Sequence, residues 1–145
     1  MIEAIIVKGL EKVKDINVVR EDIELMLADG VNFFENDSLD QTALHVIVYE
    51  EKQPVATGRL LNIELNNYVI DKICVKINKR RLYYGDLVVK MLIDKAFNIG
   101  AKEVVALVPN DGIGFFTRIG FSIVDENNSV KKLCITKDAV KKCKH

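Results

Sequence analysis

The stretch Asn78-Lys79-Arg80-Arg81-Leu82-Tyr83-Tyr84-Gly85-Asp86 decides the fold, because it joins two segments of different apolar period. Upstream, Tyr68 to Ile77 is β-branched and apolar and follows the turn signal Asn66-Asn67, so it reads as a strand. Downstream of Asp86, one face carries Leu87, Val88, Met91, Leu92, Ala96 and Ile99. The other carries Lys90, Asp94, Lys95 and Asn98, and Gly100 follows as a cap, so this spacing predicts a helix. The joint is therefore a basic loop opening a helix. The first turn of a helix leaves backbone N–H groups unpaired and carries roughly half a unit of positive charge, which suits an anion such as pyrophosphate. Lys79, Arg80 and Arg81 would add side-chain cations, and Gly85 would let main chain approach phosphates without a Cβ in the way. Asp86 argues the other way, because an acid in the first turn competes with a bound anion or caps the helix. On these residues alone an anion site and an ordinary solvated basic loop both stand.

Working toward the N-terminus, Val55 to Glu64 and Ala43 to Tyr49 read as an antiparallel hairpin turned by Glu51-Lys52-Gln53-Pro54. Residues 32 to 41 are polar and turn-rich and read as a loop. Asp15 to Leu27 places Ile16, Val19, Ile23 and Leu27 on one stripe of a helix closed by Gly30, and Ile2 to Val7 is a short first strand. Toward the C-terminus, Glu103 to Val108 reads as a buried strand and Pro109-Asn110-Asp111-Gly112 as a turn. Ile113 to Ile119 is then a short helix stopped by Gly120, and Phe121 to Asp125 and Val130 to Lys137 are strands joined by Glu126-Asn127-Asn128-Ser129. The order β-α-β-β-β-α-β-α-β-β belongs to the α/β (α+β) class, an antiparallel meander followed by one parallel crossover. No repeat or linker divides the chain, so residues 1–145 are expected to form one domain.

Composition narrows the function. The 21 Lys and Arg balance 21 Asp and Glu, which argues against work that consists of neutralising nucleic-acid phosphates or an anionic membrane. The N-terminal apolar run carries Glu3 where a signal peptide has bases, and the longest apolar segments, such as Val104 to Val108, fall far short of the ~20 residues that span a bilayer. The expected location is the cytoplasm. Cys74, Cys134 and Cys143 are odd in number and lack a Cys-x-x-Cys pair, which reads as reduced thiols. Cys74 and Cys134 are expected to be buried small hydrophobes, and Cys143 lies in a lysine-rich tail. No His/Cys cluster has metal spacing, so no metal is expected.

These motifs resemble the GNAT superfamily of acetyl-CoA-dependent N-acetyltransferases. Val75, Arg80 and Gly85 fall on the spacing of that family's strand-ending Val, four residues, then Gln/Arg-x-x-Gly-x-Gly/Ala at a helix N-terminus. Phe115-Phe116-Thr117-Arg118-Ile119-Gly120-Phe121 is similar to its Phe-Tyr-x-x-x-Gly-Phe segment. Upstream, Glu35-x-Asp37-x-x-Asp40-x-x-Ala43-x-His45, Arg59-Leu60 and Arg20 are similar to a less characterised branch of the superfamily. The resemblance runs from about residue 16 to 137 and implies a GNAT-like mixed, mainly antiparallel sheet with helices on both faces. Two positions depart from the pattern. Tyr83 stands where the family has the first glycine of its phosphate loop, and Phe116 stands where many members have a tyrosine that protonates the departing CoA thiolate.

The resemblance implies direct transfer from acetyl-CoA to an amine acceptor. Its cofactor-binding residues here would be Ile73, Cys74 and Val75 along the strand, Arg80, Arg81, Leu82, Tyr83, Tyr84, Gly85 and Asp86 in the loop, with Asn110 and Phe116. Proton-transfer candidates are Tyr83, Tyr84, Glu64, Asp71 and His45, each with a packing or solvated role as its alternative. Arg20, Asp37, Asp40 and Arg59 are candidates for an ion-pair network shaping the acceptor pocket, with purely structural pairing as the favoured alternative, because charged groups approaching a core usually partner each other. A CoA sensor or protein-binding module on the same fold is the competing reading, motivated by Tyr83 and Phe116, and an unpaired edge strand leaves a homodimer open.

Overall fold

The computed structural model describes residues 1–24, 37–64, 67–126 and 130–138. Seven strands are present: β1 (Ile2–Lys8), β2 (Leu44–Glu50), β3 (Gln53–Glu64), β4 (Asn67–Val75), β5 (Glu103–Pro109), β6 (Ser122–Asp125) and β7 (Val130–Thr136). Three α-helices accompany them: α1 (Val13–Glu24), α2 (Tyr84–Asn98) and α3 (Ile113–Ile119). Single 3₁₀ turns occupy Ser38–Gln41, Ile77–Lys79 and Asn110–Gly112. The strands form one sheet in the order β1-β2-β3-β4-β5-β7-β6. Every pairing is antiparallel except β4 with β5, where α2 makes the crossover.

Local chemistry accounts for the joints. Glu51 and Lys52 both take positive φ, 50° and 68°, as a two-residue hairpin between right-twisted strands requires. The strand resumes at Gln53 and takes in Pro54, which the sequence placed in the turn; an irregularity between Val48 and Tyr49 accommodates a residue with no N–H to donate. The chain beyond Val75 turns as a 3₁₀ segment where the sequence suggested more strand. The Asp22 carboxylate of α1 accepts the Ile77 N–H at 2.9 Å, and the Lys79 N–H closes on the Lys76 carbonyl at 2.9 Å. The expected end of α1 at Leu27 and Gly30, residues 32–36 of the loop, the Asn127-Asn128-Ser129 stretch and Cys143 lie outside the described residues.

The larger core lies between the sheet and α2, where Val88, Val89, Leu92, Ile93 and Ala96 meet Val46, Val48, Leu60, Ile70, Val104 and Ala106. Opposite it, α1 sets Ile16 against Val7 and Ile47, and Val19 against Cys74. The register of β3 on β4 passes from Thr57↔Cys74 to Arg59↔Asp71, so β4 carries one extra residue there, and Lys72 has φ 50°. This bulge turns Ile73 and Val75 toward α2 and leaves Cys74 on the α1 side. Gly58 lies opposite the bulge. A Cβ there would stand 2.5 Å from Val88 Cγ1 and 2.6 Å from Ile73 Cδ1, so α2 reaches the sheet only because this residue has no side chain.

Candidate functional site

The rungs between β4 and β5 run from Asn67↔Glu103 to Ile70↔Ala106 and stop, while β4 continues to Val75 and β5 to Pro109. Two parallel strands joined at one end only make a fork. Its open end is continuous with a cleft of about 820 Å³. Ile73 and Val75 form one wall, Phe115 and Phe116 of α3 the other, and the loop before α2 forms the mouth.

At that mouth the backbone is unusual. Arg81 and Tyr83 have φ 68° and 64°, and Tyr83, at ψ 19°, is a left-handed N-cap that offers no side-chain cap. Such a conformation costs a residue bearing a Cβ about 1–2 kcal/mol relative to glycine. The main chain at position 83 therefore takes a glycine-like course, and the tyrosine side chain leaves toward solvent, 71% exposed, without plugging the cleft. The ladder of α2 starts with the Leu87 N–H on the Tyr83 carbonyl at 3.1 Å. The amides of Tyr84, Gly85 and Asp86 precede it and are the first-turn donors that suit an anion.

The charges at the mouth are partly answered. Lys79 reaches Glu50 at 2.6 Å, and the Tyr84 hydroxyl donates a short hydrogen bond to the other oxygen of the same carboxylate. Lys79, and after it Tyr84, hold the Glu50 carboxyl below the ordinary range; the same bond pushes the Tyr84 phenol up. Arg118 donates to both oxygens of Asp86, at 2.8 and 3.0 Å, and lies 5.7 Å over the Phe115 ring. Asp86 is thus neither the helix cap nor an unopposed competitor for an anion. Arg80 and Arg81 stand exposed beside it.

Of the residues expected at a cofactor, Ile73, Val75, Arg80, Arg81, Tyr83, Tyr84, Gly85, Asp86 and Phe116 line the cleft. Three do not. Cys74 is buried on the α1 face, Leu82 points to solvent, and Asn110 is exposed while its neighbours Asp111 and Gly112 take the lining positions. A Cβ on Gly85 would sit 3.5 Å from Phe115, ordinary contact, so the packing around it does not itself demand glycine. Phe116 is buried edge-on against Phe115 at 5.1 Å and Phe121 at 5.2 Å. Arg118, Phe115, Asp111 and Glu50 were not singled out from sequence. Arg118 had one available signal, since it lies one helical turn beyond Phe115 in a segment already recognised.

The proton-transfer candidates separate. Tyr84 is buried with its hydroxyl engaged by Glu50, Tyr83 faces solvent, and the Glu64 side chain lies outside the described residues. His45 is 1% exposed and does not line the cleft. Its Nε2 stands 3.1 Å from the Asp40 carbonyl, which can only accept, so Nε2 carries the proton, and Nδ1 has no partner among the described residues. Burial lowers its pKa, and Asp40 recovers only part of the loss.

His45 sits in a buried ionic network that joins the four residues proposed for one. Arg20 forks onto both oxygens of Asp40 at 2.9 and 3.2 Å, and Arg59 forks onto Asp71 at 2.7 Å through each of two nitrogens. Arg59 also reaches Asp37 at 2.6 Å and Asp40 at 3.2 Å, and Lys72 closes on Asp37 at 3.1 Å. Burial opposes the charge on Arg59, but its bonds to Asp71 and Asp37 outweigh it and the guanidinium stays charged. Cys134, expected to be buried, is half-exposed with its thiol on Glu103 at 3.1 Å; burial and that carboxylate push its pKa up to about 11. Among the described residues no group of His, Cys, Asp or Glu could hold a metal ion, and no helix is long and apolar enough to cross a membrane.

Residues 11–121 match the model of the Acetyltransferase (GNAT) family. The Bacillus subtilis (strain 168) protein named uncharacterized N-acetyltransferase YjcF is 26% identical over 124 residues, 86% of this chain and 88% of that protein. The crystal structure of Escherichia coli ElaA aligns with TM-score 0.78 and 16% identity, over 92% of this chain and 99% of that one. The PaiA N-acetyltransferase of Thermoplasma acidophilum, solved in complex with coenzyme A, aligns with TM-score 0.69 and 15% identity, over 92% and 99%. The forked sheet and the cation-rich helix start thus coincide with a family match over most of the sequence, and the chain belongs to the GNAT acetyltransferase family.

Proposed function

We propose that this protein transfers an acyl group from an acyl-CoA to nitrogen, with acetyl-CoA as donor and a primary amine as acceptor. One observation carries the reading: β4 parts from β5 after Ile70 and leads through a loop bearing Lys79, Arg80 and Arg81 onto the first-turn amides of α2. The pyrophosphate sits on the amides of Tyr84, Gly85 and Asp86 beside Arg80 and Arg81, and the pantetheine runs along Ile73 to Val75. A protein of the same fold, the PaiA N-acetyltransferase, was solved in complex with coenzyme A, which supports CoA as the ligand. The neutral amine attacks the thioester carbonyl, main-chain amides of the Ile73–Val75 stretch stabilise the developing oxyanion, a C–N bond forms, the C–S bond breaks, and the nitrogen gives up one proton to solvent. With phenylalanine at position 116, the thiolate draws its proton from solvent; the lack of a positioned acid slows such a step by about two to four orders of magnitude.

Phe116 also carries a second reading, a member of the fold that binds CoA as a sensor or protein-interaction module without turning it over. Thiol release from acetyl-CoA with a panel of amines separates the two. Turnover that disappears in Arg80→Glu establishes the enzyme. Calorimetric binding of CoA without turnover on any amine leaves the sensor, and no binding at millimolar acetyl-CoA removes both.

A further inference from the structure

Four aromatic rings line the cleft, and three of them are committed to the protein. Tyr84 is buried with its hydroxyl on Glu50, Phe116 is wedged between Phe115 and Phe121, and Phe115 carries Arg118 over its face. Tyr83 differs: its ring is 71% exposed, and among the described residues no other ring or cation covers it. The residue holds this position on a left-handed backbone that glycine would adopt without strain. A strained backbone that presents a bare aromatic face beside two exposed arginines at the mouth of a cleft suits a ligand with both a π-surface and negative charge.

We propose that Tyr83 is a stacking platform for the purine base of the CoA nucleotide, and so a residue that favours CoA over donors lacking the nucleotide. This rests on the acyl-CoA reading above. With the pyrophosphate anchored on the α2 amides, the base is one ribose away from that anchor, at the mouth where the Tyr83 side chain emerges. Stacking on an aromatic ring needs no hydrogen-bonding edge, because every base offers a π-face. Tyrosine in place of the family's glycine then gains affinity for the nucleotide end, while the glycine-like main chain keeps the loop's shape.

The test is calorimetric binding of CoA and of pantetheine 4′-phosphate, which lacks the 3′-phosphoadenosine and one phosphate of the diphosphate, to wild type and to Tyr83→Phe, Tyr83→Leu and Tyr83→Gly. Thermal melting confirms that each variant is folded. The Phe variant keeps the CoA affinity, the Leu and Gly variants lose about ten-fold, and pantetheine 4′-phosphate shifts by less than about two-fold throughout. A Gly variant that binds CoA as tightly as wild type or more tightly overturns the proposal and leaves the acyl-CoA reading intact. Equal losses for both ligands also overturn it, since Tyr83 then shapes the loop and does not touch the base. If wild type binds neither ligand, the acyl-CoA reading falls first and the platform with it.

Discussion

A neutral imidazole packed among two guanidinium groups and a carboxylate makes the protein sensitive to acid. His45 has a folded-state pKa below its ordinary 6.5, chiefly through burial. Below about pH 6.5 the unfolded chain takes up a proton that the folded chain refuses, so stability falls as pH drops from there toward the folded value and is level above it. Urea midpoints measured from pH 7.5 down to 5 should show that decline in wild type and a flatter profile in His45→Gln. An equally steep profile in the variant would assign the decline to other groups. Asp40 is the residue on which Arg20, Arg59 and His45 converge. Asp40→Asn removes the carboxylate that Arg20 forks onto, while Arg59 keeps Asp71 and Asp37, and should cost about 3 kcal/mol in urea unfolding. Arg20, Asp37, Asp40 and Arg59 were legible as a network through the likeness to a branch of the superfamily, since charged groups near a core usually partner each other. Asp71 and Lys72 joined it only through the bulge in β4, which no local pattern announces.

At the scale of elements, two glycines give opposite expectations. Gly58→Ala would force a methyl to within 2.6 Å of both Ile73 and Val88, pushing α2 off the sheet, and should destabilise by about 1–3 kcal/mol. Gly85→Ala meets only ordinary contacts and should leave the melting temperature nearly unchanged. Circular dichroism melts of the two variants decide; a larger loss at Gly85 would contradict the packing described. The order of strands and helices was readable because hydrophobic spacing is local, and most boundaries agree within two or three residues. What failed at the boundaries depended on distant partners: the segment after Val75 turns because Asp22, 55 residues away, accepts the Ile77 N–H. The same cause hid Arg118 from the reading of the cleft, since its carboxylate partner Asp86 is 32 residues upstream. The solvent-facing course of the Tyr83 ring was not legible, because sequence names a side chain without giving its direction.

For the molecule as a whole, charge balance and local charge diverge. The chain has formal net charge zero, yet the cleft lining holds Lys79, Arg80, Arg81 and Arg118 against Asp86 and Asp111. A ligand bound there at a hundred times its Kd adds about 2.7 kcal/mol to stability, which for a domain of this size raises Tm by about 5–10 °C. Differential scanning fluorimetry with CoA should show that shift in wild type, a smaller one in high salt, and little in Arg80→Glu. Equal shifts in wild type and Arg80→Glu would move the anion away from this loop. The hydrogen bond from Ile77 to Asp22 has a wider consequence. It fastens the root of the cationic loop to a helix on the opposite side of the sheet, so the two faces are mechanically one. Exchanging that helix between relatives would reposition the arginines without altering any residue that touches the donor, and nucleotide preference should travel with the graft.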